Sequence, residues 1–568
     1  MKIEKLYPNV AQLAENKIAA LLPYQVLDKE SDSYGGFYAE DIGFCTASNR
    51  DAALFVKLGC WAYCSKDSTY FNDPLLHERL LMAIRFIDTH RRPSGFVDLT
   101  ERNYDSPPDT AFLIATVARG AWMARHLSGA DRREELDIAL AKLLKDCSFA
   151  LADHGGFHTP NHRWMIVGSL SLAQELYPEL NLRPTIDKYL AEGIDLNSAG
   201  LYSEKSFGYS AHINNHLLEF YYAFGEEWIL DKIQRNCHGI LDMMNADTTF
   251  LTNISIRQDN GKKMYPTSFL TCFLAIAHYK QDARILSAIA SILQVSEVND
   301  LELLYLFARH PEWKTEVFDV EPLTEDYEKN FTDVGIWKWK QGEMSVTAMT
   351  DQIGALSFQY GDIAIPEIRM RALYFTAQKY TASQLQPTEN GMTMTLQPTY
   401  GAGQELLMPG YWEPLNRPVP FEDLPYNNLD QRTPSPRPNV AYQWTVEKKE
   451  NGIDLTVESV GGMDKVYSEV EFVINLPGIL ISENGYDRLD TSRVYQFNHG
   501  YLTYRIGTRA VTIGPGHFGN NNIERVIPQD KNVLKLVVGF ELPLKHTFQI
   551  RCFRLDGAAP EEYRKVLR

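Results

Sequence analysis

The feature that most constrains the fold is a change in the spacing of apolar residues near residues 311–331. Before this point apolar side chains recur about every 3.6 residues, which is the spacing of amphipathic helices. After it they alternate with polar residues, as in residues 453–460 and 469–476, which is typical of half-buried strands. A chain of 568 residues is also too long for one hydrophobic core. The sequence therefore predicts a helical domain followed by a strand domain.

Twelve amphipathic runs predict twelve helices in the first part of the chain. They span residues 8–21, 51–65, 74–90, 109–127, 132–151, 161–177, 183–193, 210–224, 226–245, 265–278, 282–293 and 298–309. Asp73 and Asp109 precede two of the runs and are interpreted as helix N-caps. The connections are alternately short and long, a pattern typical of helical hairpins arranged in a ring. We therefore expect residues 1–315 to form an incomplete (α/α) toroid with functional loops at one end.

The second part of the chain is rich in period-two runs separated by Gly- and Asn-rich turns. We interpret residues 316–330 as a linker and residues 331–568 as an antiparallel β-sandwich domain. A Pro-rich stretch at residues 409–440 reads as an irregular insertion in this domain.

Charge and composition exclude some classes of partner. A net charge of −17 argues against nucleic acid and anionic membrane surfaces as partners. No apolar run is long enough to cross a bilayer, and the first residues lack the features of a secretory signal. Seven scattered cysteines without CxxC spacing indicate reduced thiols. These features predict a cytoplasmic protein. They leave its oligomeric state open, and a homo-oligomer is one possibility.

The first segment with candidate functional residues is GGFHTPNHRWMIVGSLSLAQ, residues 155–174. Its glycines and proline end one helix, and the next helix is expected to begin at or just after Asn161-His162-Arg163-Trp164. A helix N-terminus favours an anion, because its backbone N–H groups are free and its dipole is positive there. Asn161 could equally be an N-cap without a role in function.

The second segment is GLYSEKSFGYSAHINNHLLEF, residues 200–220. Tyr202, Glu204 and Tyr209 crowd a loop that is expected to enter a helix near Ser210, and His212 follows. So many polar and aromatic groups on one loop indicate a substrate surface.

Further candidates lie on two other loops. Asn103 and Asp105 precede a predicted helix and suit the binding of sugar hydroxyls. Arg257, in SIRQDNGKK, could clamp a carboxylate, with a solvated turn as the alternative.

Metal and cofactor sites are not predicted. His154, His158 and His162 are spaced by four, but the glycines and proline of residues 155–160 break the helix that would align them. No phosphate-binding loop, dinucleotide fingerprint or nucleophile elbow occurs in the sequence.

The motif Asn-His-x-Trp, followed about 40 residues later by Gly-x-Tyr-x-Glu-x-Ser-x-x-Tyr, resembles the toroidal polysaccharide lyases of the heparinase II/III-like and oligoalginate-lyase group. The resemblance implies a toroid followed by a β-domain, and β-elimination of uronic-acid-containing glycans. It also implies that Asn161 and His162 neutralise the uronate carboxylate, and that Tyr209 acts as catalytic acid or base.

This chemistry suits the residues present. An amide, an imidazole and a helix N-terminus can stabilise the developing enolate charge. A base must take the C5 proton, and an acid must protonate the leaving oxygen. Tyr209 is a suitable acid; as a base it must ionise, which a nearby cation such as His162, Arg163 or Arg257 would favour. His162 is the alternative base.

The sequence departs from these lyases in its β-domain. Many members carry His-x-His-x-Asp before Leu-Ser, whereas residues 349–362 here read MTDQIGALSFQYGD and contain no histidine. Two alternatives therefore stay open. One is a glycoside hydrolase that uses carboxylates from Asp41, Asp105, Asp109 and Glu204. The other is a non-catalytic glycan-binding relative.

Overall fold

The computed structural model describes residues 2–3, 6–48, 50–100, 102–127, 130–157, 159–374, 376–399, 412–420, 431–433, 440–519 and 532–556. The chain divides into two compact units, Met1–Asp242 with Ser255–Leu323 and Met243–Ile254 with Thr324–Arg568.

The first unit is helical. Its twelve α-helices within the described residues match the twelve predicted runs, with differences at the ends. They are α1 (Leu6–Leu21), α2 (Asp51–Cys64), α3 (Pro74–Thr89), α4 (Pro107–His126), α5 (Arg133–His154), α6 (Pro160–Leu176), α7 (Arg183–Leu190), α8 (Phe207–Phe224), α9 (Trp228–Asp242), α10 (Leu270–Lys280), α11 (Ala283–Val295) and α12 (Leu303–Arg309). Short 3₁₀ helices span Leu22–Tyr24, Pro178–Leu180, Pro266–Phe269 and Pro311–Thr315 in this unit, and Thr252–Ile254 and Thr332–Val334 in the other.

Short strands pair within the first unit. They are β1 (Lys2–Ile3), β2 (Tyr38–Ala39), β3 (Phe44–Cys45), β4 (Val97–Leu99), β5 (Asn103–Ser106) and β6 (Phe318–Asp319). β1 pairs with β6, which joins the two ends of the unit.

The helix caps agree with the prediction at one of the two positions named. The carboxylate of Asp73 accepts hydrogen bonds from the backbone N–H groups of Leu75 and Leu76, as expected of an N-cap. Asp109 is not a cap, because α4 begins two residues earlier and Ser106 caps it. Two prolines open that helix, and their missing N–H groups allow the earlier start.

Burial separates the helices into two layers. α4 and α6 are buried on all sides, whereas α7 buries only Ile186. Each of these inner helices packs against the outer helix that follows it and against the next inner helix. This alternation is the predicted toroid, with even-numbered helices inside.

The inner helices α4, α6 and α8 run in the same direction. α6 and α8 touch at two levels: Asn161 hydrogen-bonds Glu204 just before α8, and Gly168 lies against His216 two turns further along. A Cβ at position 168 would lie 2.4 Å from the Cβ of His216, so only glycine permits this approach.

The neighbouring pair α4 and α6 repeats this order. Phe112 of α4 lies near His162 of α6, and further along Trp122 donates to Glu175. The N-termini of α4, α6 and α8 therefore lie at one end of the ring, together with the long loops that precede them.

An ionic layer lies among the inner helices. The Arg119 guanidinium contacts Glu219 at 2.8 Å and Glu302 at 3.1 Å, and Lys57 contacts Glu302 at 2.7 Å. Tyr305 donates to Glu219 at 2.9 Å. These contacts join α2, α4, α8 and α12 and so close the ring of helices.

The second unit contains seventeen strands within the described residues. They are β7 (Tyr327–Phe331), β8 (Ile336–Gln341), β9 (Met344–Met349), β10 (Gly354–Tyr360), β11 (Ile363–Tyr374), β12 (Thr376–Thr388), β13 (Gly391–Thr399), β14 (Ala441–Lys449), β15 (Gly452–Val460), β16 (Tyr467–Asn475), β17 (Gly478–Ser482), β18 (Gly485–Leu489), β19 (Arg493–Gln496), β20 (Leu502–Ile506), β21 (Arg509–Gly514), β22 (Val533–Glu541) and β23 (Lys545–Arg554).

The strand pairing forms a β-sandwich. One sheet has the order β7-β8-β9-β10-β11-β16-β22-β19, and the other has the order β12-β13-β14-β15-β23-β21-β20-β17-β18. The antiparallel pairing of the end of β11 with the start of β12 connects the two sheets. Phe472 of the first sheet contacts Phe548 of the second at 5.1 Å between ring centroids, so the sheets share one core. The predicted fold class, a helical toroid followed by a β-sandwich, is confirmed.

Three details differ from the sequence prediction. Residues 316–330 are not an unpaired linker, because they contain β6 and most of β7. Met243–Ile254 belongs to the second unit although it lies far earlier in the chain. The sandwich is not purely antiparallel, because β19 and β22 run in parallel.

Candidate functional site

A cluster of polar side chains forms where α6 and α8 begin. The Asn161 amide donates to Glu204 Oε2 at 2.7 Å, and Arg257 Nη1 lies 3.3 Å from Glu204 Oε1. The Arg257 guanidinium also lies over the ring of Tyr209, 5.0 Å from its centroid. The structure thus brings together four predicted site residues from three separate segments. We call Asn161, Glu204, Tyr209 and Arg257 the carboxylate cluster.

Asn161 is the second residue of α6. Pro160 occupies the first position and Thr159 is the N-cap residue, so the interpretation of Asn161 as an N-cap is wrong. Its side chain is 0% exposed and holds Glu204, which is itself 3% exposed. In this conformation the amide orients the Glu204 carboxylate.

Tyr209 lies on the first turn of α8 and not on a loop. The helix begins at Phe207, and the Ser206 hydroxyl accepts a hydrogen bond from the Tyr209 N–H at 3.3 Å. Its side chain is partly exposed. The rigid start of a helix therefore fixes the phenol in place.

Asp259 explains how Arg257 reaches Tyr209. Its carboxylate accepts from the Phe207 N–H at 2.8 Å and from the Ser206 hydroxyl at 3.1 Å, at the N-terminus of α8. A negative charge is favoured at this end of a helix. The segment that carries Arg257 is thereby held against the start of α8.

Three histidines surround Phe112. The rings of His162, His212 and His216 lie edge-on to it at 6.3, 6.3 and 6.2 Å. Burial and the nearby Arg119 lower the pKa of His216 to about 3, and burial also lowers the pKa of His212. His212 is exposed, whereas His162 and His216 are 8% and 2% exposed.

Three predicted substrate ligands use their polar atoms within the protein. Arg163 pairs with Glu192 at 2.8 Å and lies over the Trp164 ring at 4.2 Å. Trp164 is 0% exposed and donates to Asp195 at 2.7 Å. The Tyr202 hydroxyl is buried and donates to Asn214 at 2.9 Å. In this arrangement the rings of Trp164 and Tyr202 lie beneath the protein surface.

The loop before α4 holds the other predicted sugar ligands. The Asn103 amide donates to Asp109 at 3.0 Å, and Asp109 also accepts from the Ser106 hydroxyl at 2.5 Å. Asp105 is exposed and hydrogen-bonds Ser94. Within the described part of the chain, neither Asn103 nor Asp105 contacts the carboxylate cluster.

The carboxylates of the hydrolase alternative are all engaged. Asp41 pairs with Arg50 at 2.9 Å, and Asp105, Asp109 and Glu204 have the partners given above. They occupy four different positions along three segments, and the structure shows no direct contact between any two of them among the described residues.

Among the residues that the structure describes, no three His, Cys, Asp or Glu side chains are grouped to hold a metal ion. His158 of the predicted histidine series lies outside the described residues, and His154 Nε2 lies 2.9 Å from the Ser94 carbonyl oxygen. None of the helices in the described ranges is long and apolar enough to cross a membrane.

Neither Phe112 nor the capping role of Asp259 could be recognised in the sequence. Phe112 lies within an amphipathic run, where an aromatic residue reads as core. Asp259 caps a helix that begins 52 residues earlier in the chain, as its contact with Phe207 shows. Because the capping residue lies so far from the helix in the chain, no local sequence pattern marks this cap.

Comparison with known proteins supports the fold. No protein-family model and no curated protein matches the chain. Among solved structures, heparinase III matches with a TM-score of 0.57 and 9% identity, over 98% of this chain and 93% of that one. A chondroitinase AC lyase matches with a TM-score of 0.53 and 11% identity, over 99% and 83%. A heparan sulfate lyase from Pedobacter heparinus matches with a TM-score of 0.52 and 9% identity, over 96% and 84%.

These likenesses confirm the resemblance at the level of fold. The chain has the toroid and β-sandwich of heparinase-like polysaccharide lyases, and it covers most of the length of each of these structures.

Proposed function

We propose that the protein is a lyase that cleaves uronic-acid-containing oligosaccharides by β-elimination. The observation that carries the proposal is the contact of the Arg257 guanidinium with the ring of Tyr209, beside Glu204 and Asn161. A cation and a phenol are thereby held together at the end of the ring where the inner helices begin. The fold that this chain shares with known lyases agrees with such an activity.

The surroundings favour an anionic substrate group. The N-termini of α4, α6 and α8 point the same way, so their dipoles add positive potential at one end of the ring. Arg257 and Glu204 form an ion pair there at 3.3 Å, so the excess of positive potential comes from the helix N-termini. This local field opposes the overall charge of −17 and would attract the carboxylate of a uronic acid.

Each member of the carboxylate cluster has a role in this proposal. Arg257 binds the sugar carboxylate and stabilises the enolate as charge develops. Tyr209 transfers a proton to the leaving oxygen. His162, next to Asn161 in the chain, helps to neutralise the sugar carboxylate. Glu204 holds the Arg257 guanidinium near Tyr209, and the Asn161 amide orients Glu204.

The test is a screen of uronate-containing oligosaccharides for ultraviolet absorbance, since elimination leaves an unsaturated uronate. We expect Tyr209→Phe to lower kcat by at least about 100-fold, with binding nearly unchanged, because only the hydroxyl is lost. Tyr486→Phe is the control, because Tyr486 is 75% exposed in the second unit and should keep full activity.

Other outcomes would replace the proposal. Saturated products with uptake of water would assign the chain to the glycoside hydrolases. Binding of the oligosaccharides without any product would assign it to the non-catalytic alternative. Full activity of Tyr209→Phe would remove Tyr209 from the mechanism.

A further inference from the structure

We propose that His212 is the base that takes the C5 proton, with Tyr209 as the acid that protonates the leaving oxygen. This inference rests on the proposed lyase function and assigns a second catalytic residue to it. It gives His212, which the sequence suggested only as a substrate ligand, a chemical step of its own.

Position supports this assignment. His212 follows Tyr209 by three residues on α8, so the two side chains lie on the same face of the helix, one turn apart. His212 is exposed, whereas His162 and His216 around the same Phe112 are nearly enclosed. Within the described residues, His212 is thus the member of this group whose ring can meet a substrate.

The ring nitrogens of His212 are available for proton transfer. No hydrogen bond to its ring is made by the residues that the structure describes, whereas His216 Nδ1 contacts the His212 carbonyl oxygen at 2.8 Å. The imidazole of His212 is exposed, yet desolvation lowers its pKa.

The surroundings of His212 lower its pKa and so favour its neutral form. Desolvation by the surrounding protein is the largest cause; Glu302 before α12 raises the pKa, and Arg119 of α4 and Lys57 of α2 lower it. His162 and His216 are the other titratable groups around Phe112. The imidazole is therefore neutral near pH 7, as a base must be.

The proposed step balances. The C5–H bond breaks, its proton goes to an imidazole nitrogen of His212, and its electron pair forms the C4–C5 double bond. The C4–O bond then breaks, and the glycosidic oxygen keeps the electron pair and takes the proton of the Tyr209 hydroxyl. The imidazolium returns its proton to the phenolate through solvent, which restores both groups without a co-reactant.

The experiment compares His212→Gln with His216→Gln in the full-length protein, by ultraviolet absorbance across pH. His216 is the matched control, because it lies one turn further along α8 and contacts Phe112 but is enclosed. We expect His212→Gln to lower kcat by about 100-fold or more, with KM within about threefold. Thermal melting checks folding, and His212→Asn replaces the glutamine variant if that one is unfolded.

The pH profile separates a base from a structural residue. In the wild type, kcat/KM should rise with pH through the lowered pKa of His212, below about 6.5, because only the neutral ring accepts a proton. His212→Gln should lose this rise and regain part of its activity with added imidazole. His216→Gln should keep the wild-type profile.

Three results would overturn the inference. One is a His212→Gln variant with the kcat and pH profile of the wild type, while Tyr209→Phe is inactive; the lyase function would then stand. Another is a rise in KM alone, which would leave His212 as a ligand only. A wild type that yields no unsaturated product from any uronate oligosaccharide would remove this inference and the proposed function together.

Discussion

Glu204 is a carboxylate that the protein holds almost completely out of water. It is 3% exposed, and each of its oxygens has a partner, the Asn161 amide at 2.7 Å and the Arg257 guanidinium at 3.3 Å. A buried charge of this kind is tolerated only while its partners remain. Glu204 therefore couples the position of Arg257, and through it the environment of Tyr209, to the start of α6.

We predict that Glu204→Gln lowers both stability and activity. The amide can still accept from Asn161, but Arg257 loses its counter-charge, at a cost of about 3 kcal/mol in the free energy of unfolding. Activity should fall at least about tenfold, because the guanidinium is no longer fixed over Tyr209. Urea denaturation and the elimination assay measure the two effects.

Glu192→Gln is the matched control. Glu192 pairs with Arg163 at 2.8 Å but is 51% exposed, so its loss should change stability by less than about 1 kcal/mol and leave activity intact. Equal effects of the two substitutions would contradict the special role given to Glu204.

The sequence could identify candidate residues of the site but not their surroundings. Asn161, Glu204, Tyr209 and Arg257 were singled out on separate segments, and the structure places them in contact, although their roles in catalysis stay predictions. The sequence could not predict which of these side chains are exposed to solvent. Trp164 stands beside Asn161 and His162 in the motif and yet is fully buried, because burial depends on helices that pack from elsewhere.

At the scale of elements, the start of α8 depends on a cap from another segment. Asp259 accepts from the Phe207 N–H at 2.8 Å and the Gly208 N–H at 3.4 Å. We predict that Asp259→Ala lowers the free energy of unfolding by about 1–2 kcal/mol and lowers kcat, because Tyr209 lies on the turn that it caps. Thermal melting and the elimination assay test this.

Asp73→Ala provides the comparison. Asp73 caps the outer helix α3 through the Leu75 and Leu76 N–H groups, so its loss should cost similar stability without affecting kcat. A similar loss of kcat in both variants would show that general destabilisation, and not the order of α8, explains the effect of Asp259→Ala.

Element boundaries were predictable where local chemistry sets them. The Asp73 cap and the proline after it mark the start of α3. The start of α4 was misplaced because two prolines and Ser106 move it ahead of the apolar pattern. The predicted linker contains β7, whose five residues alternate between partly buried and exposed and bury none fully, so no apolar pattern marks this strand.

At the scale of the molecule, hydrophobic periodicity was enough to predict a toroid followed by a β-sandwich. It could not predict which strands pair. The parallel pair β19 and β22, for example, joins residues about 40 apart in the chain, and no local sequence pattern marks such a pairing. It also could not predict what closes the ring, since the ionic layer joins side chains such as Lys57 and Glu302 that lie 245 residues apart.

Closure of the ring by Lys57 and Glu302 yields a final prediction. Their side chains are 4% and 23% exposed and lie 2.7 Å apart, and although burial raises the pKa of Glu302, Lys57 and Arg119 lower it well below its usual range. Lys57→Met keeps the apolar stem and removes the charge, so we expect a loss of about 3 kcal/mol in urea denaturation. Lys142→Met, which removes a lysine that is 62% exposed and pairs with Asp88, should cost less than about 1 kcal/mol. If the two substitutions cost the same, packing of the helices alone would hold the ring closed, and the ionic layer would serve only to set the charge around His212.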